Sequence, residues 1–175
     1  LVLSRGLGDV YKRQIIVLVA EDKNVLGWIE LSDKVRPNSS SSIRSLQRRG
    51  IDVVMLTGDR HEVAKAVANS VGINTILSQV KPDEKAEQIR RLQKEGTVAM
   101  IGDGINDAAA LTVADVGIAM GAGSEIALES ADIVLVRNDL SDAVASLDLG
   151  RSTMKKIRSN LVWAFVYNLI GIPLA

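Results

Sequence analysis

Three short stretches carry residue types suited to gripping a phosphoryl group. They are Met55-Leu56-Thr57-Gly58-Asp59, Lys81-Pro82-Asp83-Glu84-Lys85 and Gly102-Asp103-Gly104-Ile105-Asn106-Asp107. Asp103 and Asp107 offer carboxylate oxygens to a hard cation such as magnesium, which usually shares its ligands with phosphate. The Thr57 hydroxyl, the free amides at Gly58 and the Lys85 ammonium can take charge from phosphoryl oxygens. Stabilising that charge as it develops is the main work of phosphoryl transfer. Gly102 and Gly104 let the backbone come close without a Cβ in the way. A nucleophile is not evident, because an aspartate that holds magnesium is a poor attacking group. Either an aspartate elsewhere in a longer parent chain attacks, or this segment only binds. A blander reading stands beside this one: Thr57, Asp59 and Asp107 are helix caps, which Thr and Asp do well, and Lys85 is a solvated surface residue.

The elements that must position these residues follow from apolar spacing. Thr97–Ile101 reads as a short buried strand that breaks at Gly102, with a helix over 106–112 beyond it. That places Asp103 and Asp107 at the carboxyl end of a strand, where open α/β sheets put their sites. Upstream, Ile51–Leu56 reads as a strand and Asp59–Ser70 as a helix with Val63, Val67 and Val71 on one stripe. Asp59 and Glu62 have capping-box spacing. Asn74–Val80 reads as a short strand. Pro82–Glu95 reads as a helix with Ala86, Ile89 and Leu92 inward, since Pro is acceptable in the first turn. Val116–Met120 and Ile133–Val136 are further strands, with a helix over 124–130 between them. Brief apolar strands alternating with helices predict a mainly parallel sheet covered by helices.

The ends of the chain read differently. Ile15–Ala20 and Val25–Leu31 predict a hairpin around Glu21-Asp22-Lys23-Asn24. Ser32–Ser42 reads as a polar connection, and a helix is expected to begin at Ile43 and stop at Gly50. Residues 1–14 fit neither a strand nor an amphipathic helix. Their run Arg-Gly-Leu-Gly-Asp-Val-Tyr-Lys-Arg-Gln resembles translated sequencing adapter, so they are expected to be non-native or disordered. From Asp139 a long helix is expected, carrying Arg151, Lys155, Lys156 and Arg158. Leu161–Ala175 then has no charge and covers roughly 20 Å as a helix, against a hydrocarbon core of roughly 30 Å. The basic cluster before it fits the cytoplasmic-side rule, so the start of a membrane span is expected, with a buried C-terminal helix as the alternative. Asn168 in that run would face a bundle interior or an ion path, and Pro173 would loosen the helix beside it.

Composition narrows the classes. The chain has 175 residues, 47% hydrophobic, with formal net charge zero. That is enough for one domain with a core, and the balance gives no sign of nucleic-acid binding. There is no cysteine, which excludes disulfide scaffolds and thiolate metal sites for this segment. Gly102-Asp103-Gly104 invites a dinucleotide reading, but Asp107 stands where the third glycine belongs and would repel a pyrophosphate. Gly6 to Gly8 is not a phosphate loop, since no strand precedes it. Gly121-Ala122-Gly123-Ser124 reads as a turn and a cap near the sheet edge, with a part in shaping the site as the alternative. His61 reads as a surface residue with no zinc-site partner in sequence. Asp33 and Arg36, in an Asp-x-x-Arg-Pro run, read as a turn before a helix.

The three stretches above, at this separation, resemble the P-type ATPases, and within them the heavy-metal, copper-type transporters. Ser32-Asp33-Lys34-Val35-Arg36-Pro37 adds to the likeness, as do Asn160-Leu161-Val162-Trp163-Ala164-Phe165, Tyr167-Asn168 and Ile172-Pro173. The resemblance runs from about residue 15 to 175. It implies the haloacid-dehalogenase-like sheet of a phosphorylation domain, with 15–31 as a strand pair returning from a missing nucleotide-binding domain, 32–150 as a partial phosphorylation domain and 151–175 as a basic helix entering the membrane. Thr57 and Gly58 would hold the phosphoryl group and Lys85 would neutralise it. Asp103 would coordinate Mg2+, with Asn106 and Asp107 ordering metal and phosphate. Asp59 and Gly104 would lie on the ATP side, and Tyr167 and Asn168 would belong to the site of the transported ion. The implied cofactors are Mg2+ and ATP. The implied partners are a heavy-metal ion, copper or silver, the missing domains and the lipid bilayer, in a multi-pass membrane parent with this domain in the cytoplasm.

Departures from the family pattern shape the expectation. The Asp-Lys-Thr-Gly-Thr motif that bears the phosphorylated aspartate is not in this sequence, nor is the Cys-Pro-Cys membrane motif, and Ala109 stands where the family usually has proline. The reading is a pump fragment that does not turn over ATP alone. A soluble phosphatase of the same fold and a non-catalytic interaction module are the alternatives.

Overall fold

The computed structural model describes residues 3–4, 14–21, 24–32, 35–103, 106–121 and 125–174. It contains an antiparallel sheet of β1 (Leu3–Ser4), β2 (Gln14–Glu21) and β3 (Asn24–Ser32), in that order. β2 and β3 pair from Gln14↔Ser32 to Glu21↔Asn24, with an irregularity between Val19 and Ala20. Asp22 and Lys23, where the hairpin turn is expected, lie outside the described residues, as do 5–13 and with them Gly6 and Gly8.

The rest is α/β. Helix α1 spans Ser39–Arg48, so it starts inside the serine run rather than at Ile43. Serine tolerates helix N-termini well, and Ser42, Ile43 and Leu46 are buried, so the serine turn is held by packing as well. β4 (Val54–Leu56) pairs in parallel with β5 (Thr75–Leu77) around helix α2 (His61–Val71). After α3 (Pro82–Leu92), β6 (Ala99–Gly102), β7 (Val116–Met120) and β8 (Ile133–Leu135) form a parallel sheet in that order. α4 (Ala108–Val113) and α5 (Glu125–Ser130) connect them. The parallel strands thus fall into two ladders, β4–β5 and β6–β7–β8, rather than one continuous sheet. Leu56 of β4 packs against Ile89, Met100, Ala110, Leu111 and Ala119, which ties the two ladders through one core with α3 and α4. On α2 the buried residues are Ala64, Ala68 and Val71, so Val71 keeps its expected place while Ala64 and Ala68 are buried instead of Val63 and Val67.

Two local expectations change. Asp59 does not cap α2: the N-cap is Arg60, with no side-chain cap bond. The C-terminal helix, α6, is one element from Leu140 to Leu174. The start of a membrane span is not found. Among the described residues, no helix is long and apolar enough to cross a membrane. The physical reason is dilution. The apolar run begins only after Asn160, it contains Asn168, and lengthening it backwards brings in Ser159 and Arg158. A buried C-terminal helix is not found either, since Leu161, Trp163, Phe165, Tyr167, Leu169 and Ile172 are all exposed.

Candidate functional site

The loop after β4 and the loop after β5 are knitted together by backbone bonds. The Thr57 amide donates to the Leu77 carbonyl at 2.9 Å, the Val80 amide to Thr57 at 3.1 Å and the Gln79 amide to Asp59 at 2.9 Å. Gln79 takes a left-handed backbone, φ 59°, to make this junction. His61 Nδ1 lies 3.0 Å from Ser78 Oγ, a second tie between the same loops. A Cβ on Gly58 would sit 3.3 Å from the Val80 carbonyl, so the close approach favours glycine there. Thr57 Oγ1 donates to Asp59 Oδ2 at 3.0 Å and accepts from the Asp59 amide at 3.1 Å. These side-chain bonds fold the Thr-Gly-Asp turn onto itself, which is a different use from capping a helix.

The second loop leads directly into α3. The Lys81 amide donates to Glu84 Oε2 at 3.2 Å, fixing the first turn with Pro82 inside it. One turn on, Lys85 Nζ donates to Asp107 Oδ1 at 2.5 Å, and the two side chains are only 12% and 13% exposed. Lys85 is therefore not a solvated surface lysine. Asp107 is the N-cap residue of α4, but its carboxylate makes no cap bond; one oxygen is committed to Lys85. Its other oxygen occupies the space a Cβ on Gly102 would take, at 2.5 Å. Only glycine at the end of β6 lets the Asp107 carboxylate turn down onto the strand.

Asp103 follows β6 and is exposed, and its Oδ1 accepts from the Asn106 amide at 3.4 Å. The donor chemistry at this turn suits magnesium: an exposed carboxylate beside a second carboxylate already neutralised by lysine. Magnesium needs only one or two protein carboxylates when phosphate and water complete its shell. No cluster of three or more acidic, histidine or cysteine side chains able to hold a metal occurs among the described residues. Gly104 lies outside the described residues, as do Ile105, Asp33 and residues 122–124, on which the expected turn falls. Tyr167, 78% exposed, and Asn168 lie on the exposed end of α6, on a separate element from the loops above.

Sequence reasoning missed Ser78-Gln79-Val80 as part of this assembly. Its one signal is position, immediately before Lys81-Pro82. A strand reading over 74–80 concealed the junction.

Comparison with known proteins identifies the class. The chain belongs to the haloacid dehalogenase-like hydrolases, whose family pattern matches residues 4–115. Within that class its relatives are copper-transporting and other metal-transporting ATPases, of which it matches a part. It is 48% identical over 165 residues to copper-transporting ATPase 2 of Mus musculus, covering 94% of this chain and 11% of that protein. It is 49% identical over 161 residues to the probable copper-transporting ATPase PacS of Synechococcus elongatus, covering 91% of this chain and 22% of that one. Among solved structures, a zinc-transporting PIB-type ATPase in the E2.Pi state aligns with TM-score 0.74 and 38% identity, over 90% of this chain and 27% of that chain. The catalytic domain of the CPx-ATPase CopB-B aligns with TM-score 0.60 and 33% identity, over 75% of this chain and 56% of that one. The chain thus spans a small part of the full-length proteins it resembles.

Proposed function

We propose that this chain is part of the phosphorylation domain of an ATP-driven heavy-metal transporter, with copper or silver as the transported ion. The observation that carries the reading is the shielded Lys85–Asp107 pair at the carboxyl end of β6, joined through α3 to the interlocked Thr57-Gly58-Asp59 turn. Thr57 and the Gly58 amide bind phosphoryl oxygens, and Lys85 neutralises them. Asp107 positions Lys85, and Asp103 with Asn106 orders Mg2+. When bound, the cation would withdraw further charge from the phosphoryl oxygens. Asp59 and Gly104 are assigned to the ATP side. Tyr167 and Asn168 are assigned to the transported ion by resemblance alone.

The attacking aspartate is supplied from outside this sequence. Each parallel ladder has two edges that no described strand pairs, and those on β4 and β6 belong to the strands that run into Thr57 and Asp103. A strand bearing Asp-Lys-Thr-Gly-Thr and entering there would bring its aspartate to the carboxyl ends of both. The parent is then a multi-pass membrane protein with this domain on its cytoplasmic side, as the copper-transporting relatives suggest.

The test is phosphoenzyme formation from labelled ATP in the chain extended upstream through its own gene. Acid-stable labelling is expected, and it should vanish in Asp107→Ala. Undiminished labelling in that variant overturns the assigned role. Hydrolysis of ATP above background by the 175-residue chain alone overturns the fragment reading.

A further inference from the structure

The helix that begins at Asp107 is fastened at both ends to the helix that carries Lys85. At one end stands the Lys85–Asp107 pair. At the other, Gln93, the C-cap residue of α3, donates from Nε2 to the carbonyl of Val113, the last residue of α4, at 3.0 Å. Start meets start and end meets end, so the two helices run side by side in one direction. At 1.5 Å per residue the two ties stand about 12 Å apart along α3 and about 9 Å apart along α4. Between them, Ile89 of α3 shares a buried core with Ala110 and Leu111 of α4. The depth of α4 is fixed separately: a Cβ on Gly117 would sit 2.6 Å from the Leu111 carbonyl, so the helix lies on bare backbone of β7. Its exit is fixed as well. The Asp115 amide donates to the Val98 carbonyl at 3.0 Å, and Asp115 Oδ2 accepts from the Val98 amide at 2.8 Å, which binds the chain after α4 to the residue before β6.

These contacts divide the work. Gly117 sets how deep α4 lies, and Asp115 holds its exit to the strand side, but neither sets its tilt against α3. Apolar burial around Ile89 is non-directional and leaves the tilt open. The Val113 carbonyl is one of those that the last turn of a helix leaves without an internal partner, and the Gln93 amide supplies one from α3 itself. α4 has six residues, fewer than two turns. A small rock about the Ile89 contact therefore carries Asp107 with it. We infer that Gln93 is a positioning residue: by holding the far end of α4 to α3, it sets where Asp107 stands against Lys85. Gln93 touches none of the phosphoryl-binding groups and acts only through this lever. The lever is a matter of geometry; its effect on phosphorylation rests on the phosphoryl-transfer reading.

Three variants of the chain separate the donor from mere packing. Gln93→Met keeps the side-chain length and removes the donor. Gln93→Arg keeps an N–H the same number of bonds from the backbone. Arg91→Ala cuts only an exposed pair with Glu87 within α3. The readout is the Lys85 ammonium resonance in NMR, identified as the signal lost in Lys85→Arg. It is expected to shift or broaden in Gln93→Met, to return in Gln93→Arg and to stay in place in Arg91→Ala. In the chain extended upstream, Gln93→Met is expected to slow phosphoenzyme formation about tenfold with the half-saturating ATP concentration unchanged, because a misplacement of about 1 Å can cost about 100-fold and this lever moves Asp107 by less. A Lys85 resonance that stays put in Gln93→Met, or that Gln93→Arg fails to restore, overturns the inference, as does a shifted resonance with an unchanged rate. A shifted resonance in an extended parent chain that forms no phosphoenzyme at all leaves the lever standing and overturns the phosphoryl-transfer reading instead. Should Gln93→Met fail to fold by circular dichroism, Gln93→Glu, which turns a carboxylate toward the Val113 carbonyl at neutral pH, takes its place and must shift the resonance for the inference to stand.

Discussion

Two ion pairs in this molecule close to the same 2.5 Å and do different work. Lys85–Asp107 joins α3 to the start of α4, with side chains 12% and 13% exposed. Arg49–Asp148 joins α1 to α6, with side chains 29% and 47% exposed. In the first, water is nearly excluded, so each charge depends on the other for solvation. In the second, water can replace either partner. Distance alone therefore says little about what a pair contributes; its surroundings decide. A shielded lysine–carboxylate pair at the end of a strand is hard to justify by stability, because an apolar pair would serve as well. That is the physical reason to read it as a prepared site, and to read Arg49–Asp148 as a seam between helices.

The largest test of this contrast removes one member of the shielded pair. Asp107→Ala leaves Lys85 without its counter-charge, and a stranded buried charge costs about 3–5 kcal/mol. The residual exposure of Lys85 argues for the lower end, about 3 kcal/mol. Urea denaturation of the chain is the measurement. Replacing both members, Lys85→Met with Asp107→Leu, is expected to recover most of the loss. A single substitution costing no more than Arg49→Ala would show that the two pairs are energetically alike.

A somewhat smaller effect comes from beneath the pair. Gly102→Ala places a Cβ 2.5 Å from Asp107 Oδ2, 2.8 Å from its Cβ and 3.0 Å from its Cγ. These atoms belong to the first residues of a helix and cannot swing away freely. Overpacking of this kind costs about 1–3 kcal/mol, and it should move Asp107 off Lys85. The check is thermal unfolding together with the lysine side-chain resonance in NMR, which should shift in Gly102→Ala and stay put in Gly96→Ala, where a Cβ meets nothing within 4 Å.

How far the sequence discloses this contrast differs between its parts. Apolar spacing locates β7 without error, and it places the inward residues Ala86 and Ile89 of α3, because burial on one face forces the periodicity. The glycine–aspartate run at 102–107 stands out in the sequence as a candidate site because glycines and carboxylates after a strand have few other uses. The pairing of Lys85 with Asp107 is not legible, since nothing in residue type links positions 22 apart on different elements. The start of α1 is hidden by its serines, which resemble a loop until Ser42 is seen to be buried. The apolar tail misleads in the opposite way. Hydrophobic residues around all sides of α6 look like a membrane segment, but Arg158, Asn160 and Asn168 dilute any stretch long enough to span. Composition over a window, and not the longest apolar run, is the relevant quantity there.

Beside the shielded pair, the backbone at Gln79 offers a gentler probe. Its φ of 59° is costly for a residue with a Cβ, and its side chain is exposed. Gln79→Gly relieves strain of about 1–2 kcal/mol and loses about 0.5–1 kcal/mol through the greater freedom of glycine when unfolded. The net expectation is a gain of roughly 0.5 kcal/mol, read as a higher urea midpoint. A loss would mean that the side chain, and not only the amide bonded to Asp59, holds the junction.

The smallest effect is expected at the exposed pair, and its pH dependence gives it a signature. The bond from Arg49 holds the Asp148 carboxyl below the ordinary value of 3.8. Asp139 is lowered in the same way, first by the Ser141 amide and then by Asn38. For both, the folded chain binds protons less readily than the unfolded one, so stability rises with pH through this range. The contribution is complete above the unfolded value near 3.8 and disappears as the pH falls through the lowered folded value. Arg49→Ala removes the cause of the Asp148 shift, so the variant should differ little from the parent chain at any pH and least below the folded value, where the carboxyl is protonated anyway. Added salt should shrink the difference further, because exposed charges are screened. Unfolding midpoints of the two chains from pH 3 to pH 7, at low and high salt, test this. A salt-insensitive gap as large as that of Asp107→Ala would mean that the α1–α6 seam is as closed to water as the site, and that shielding does not separate the two pairs.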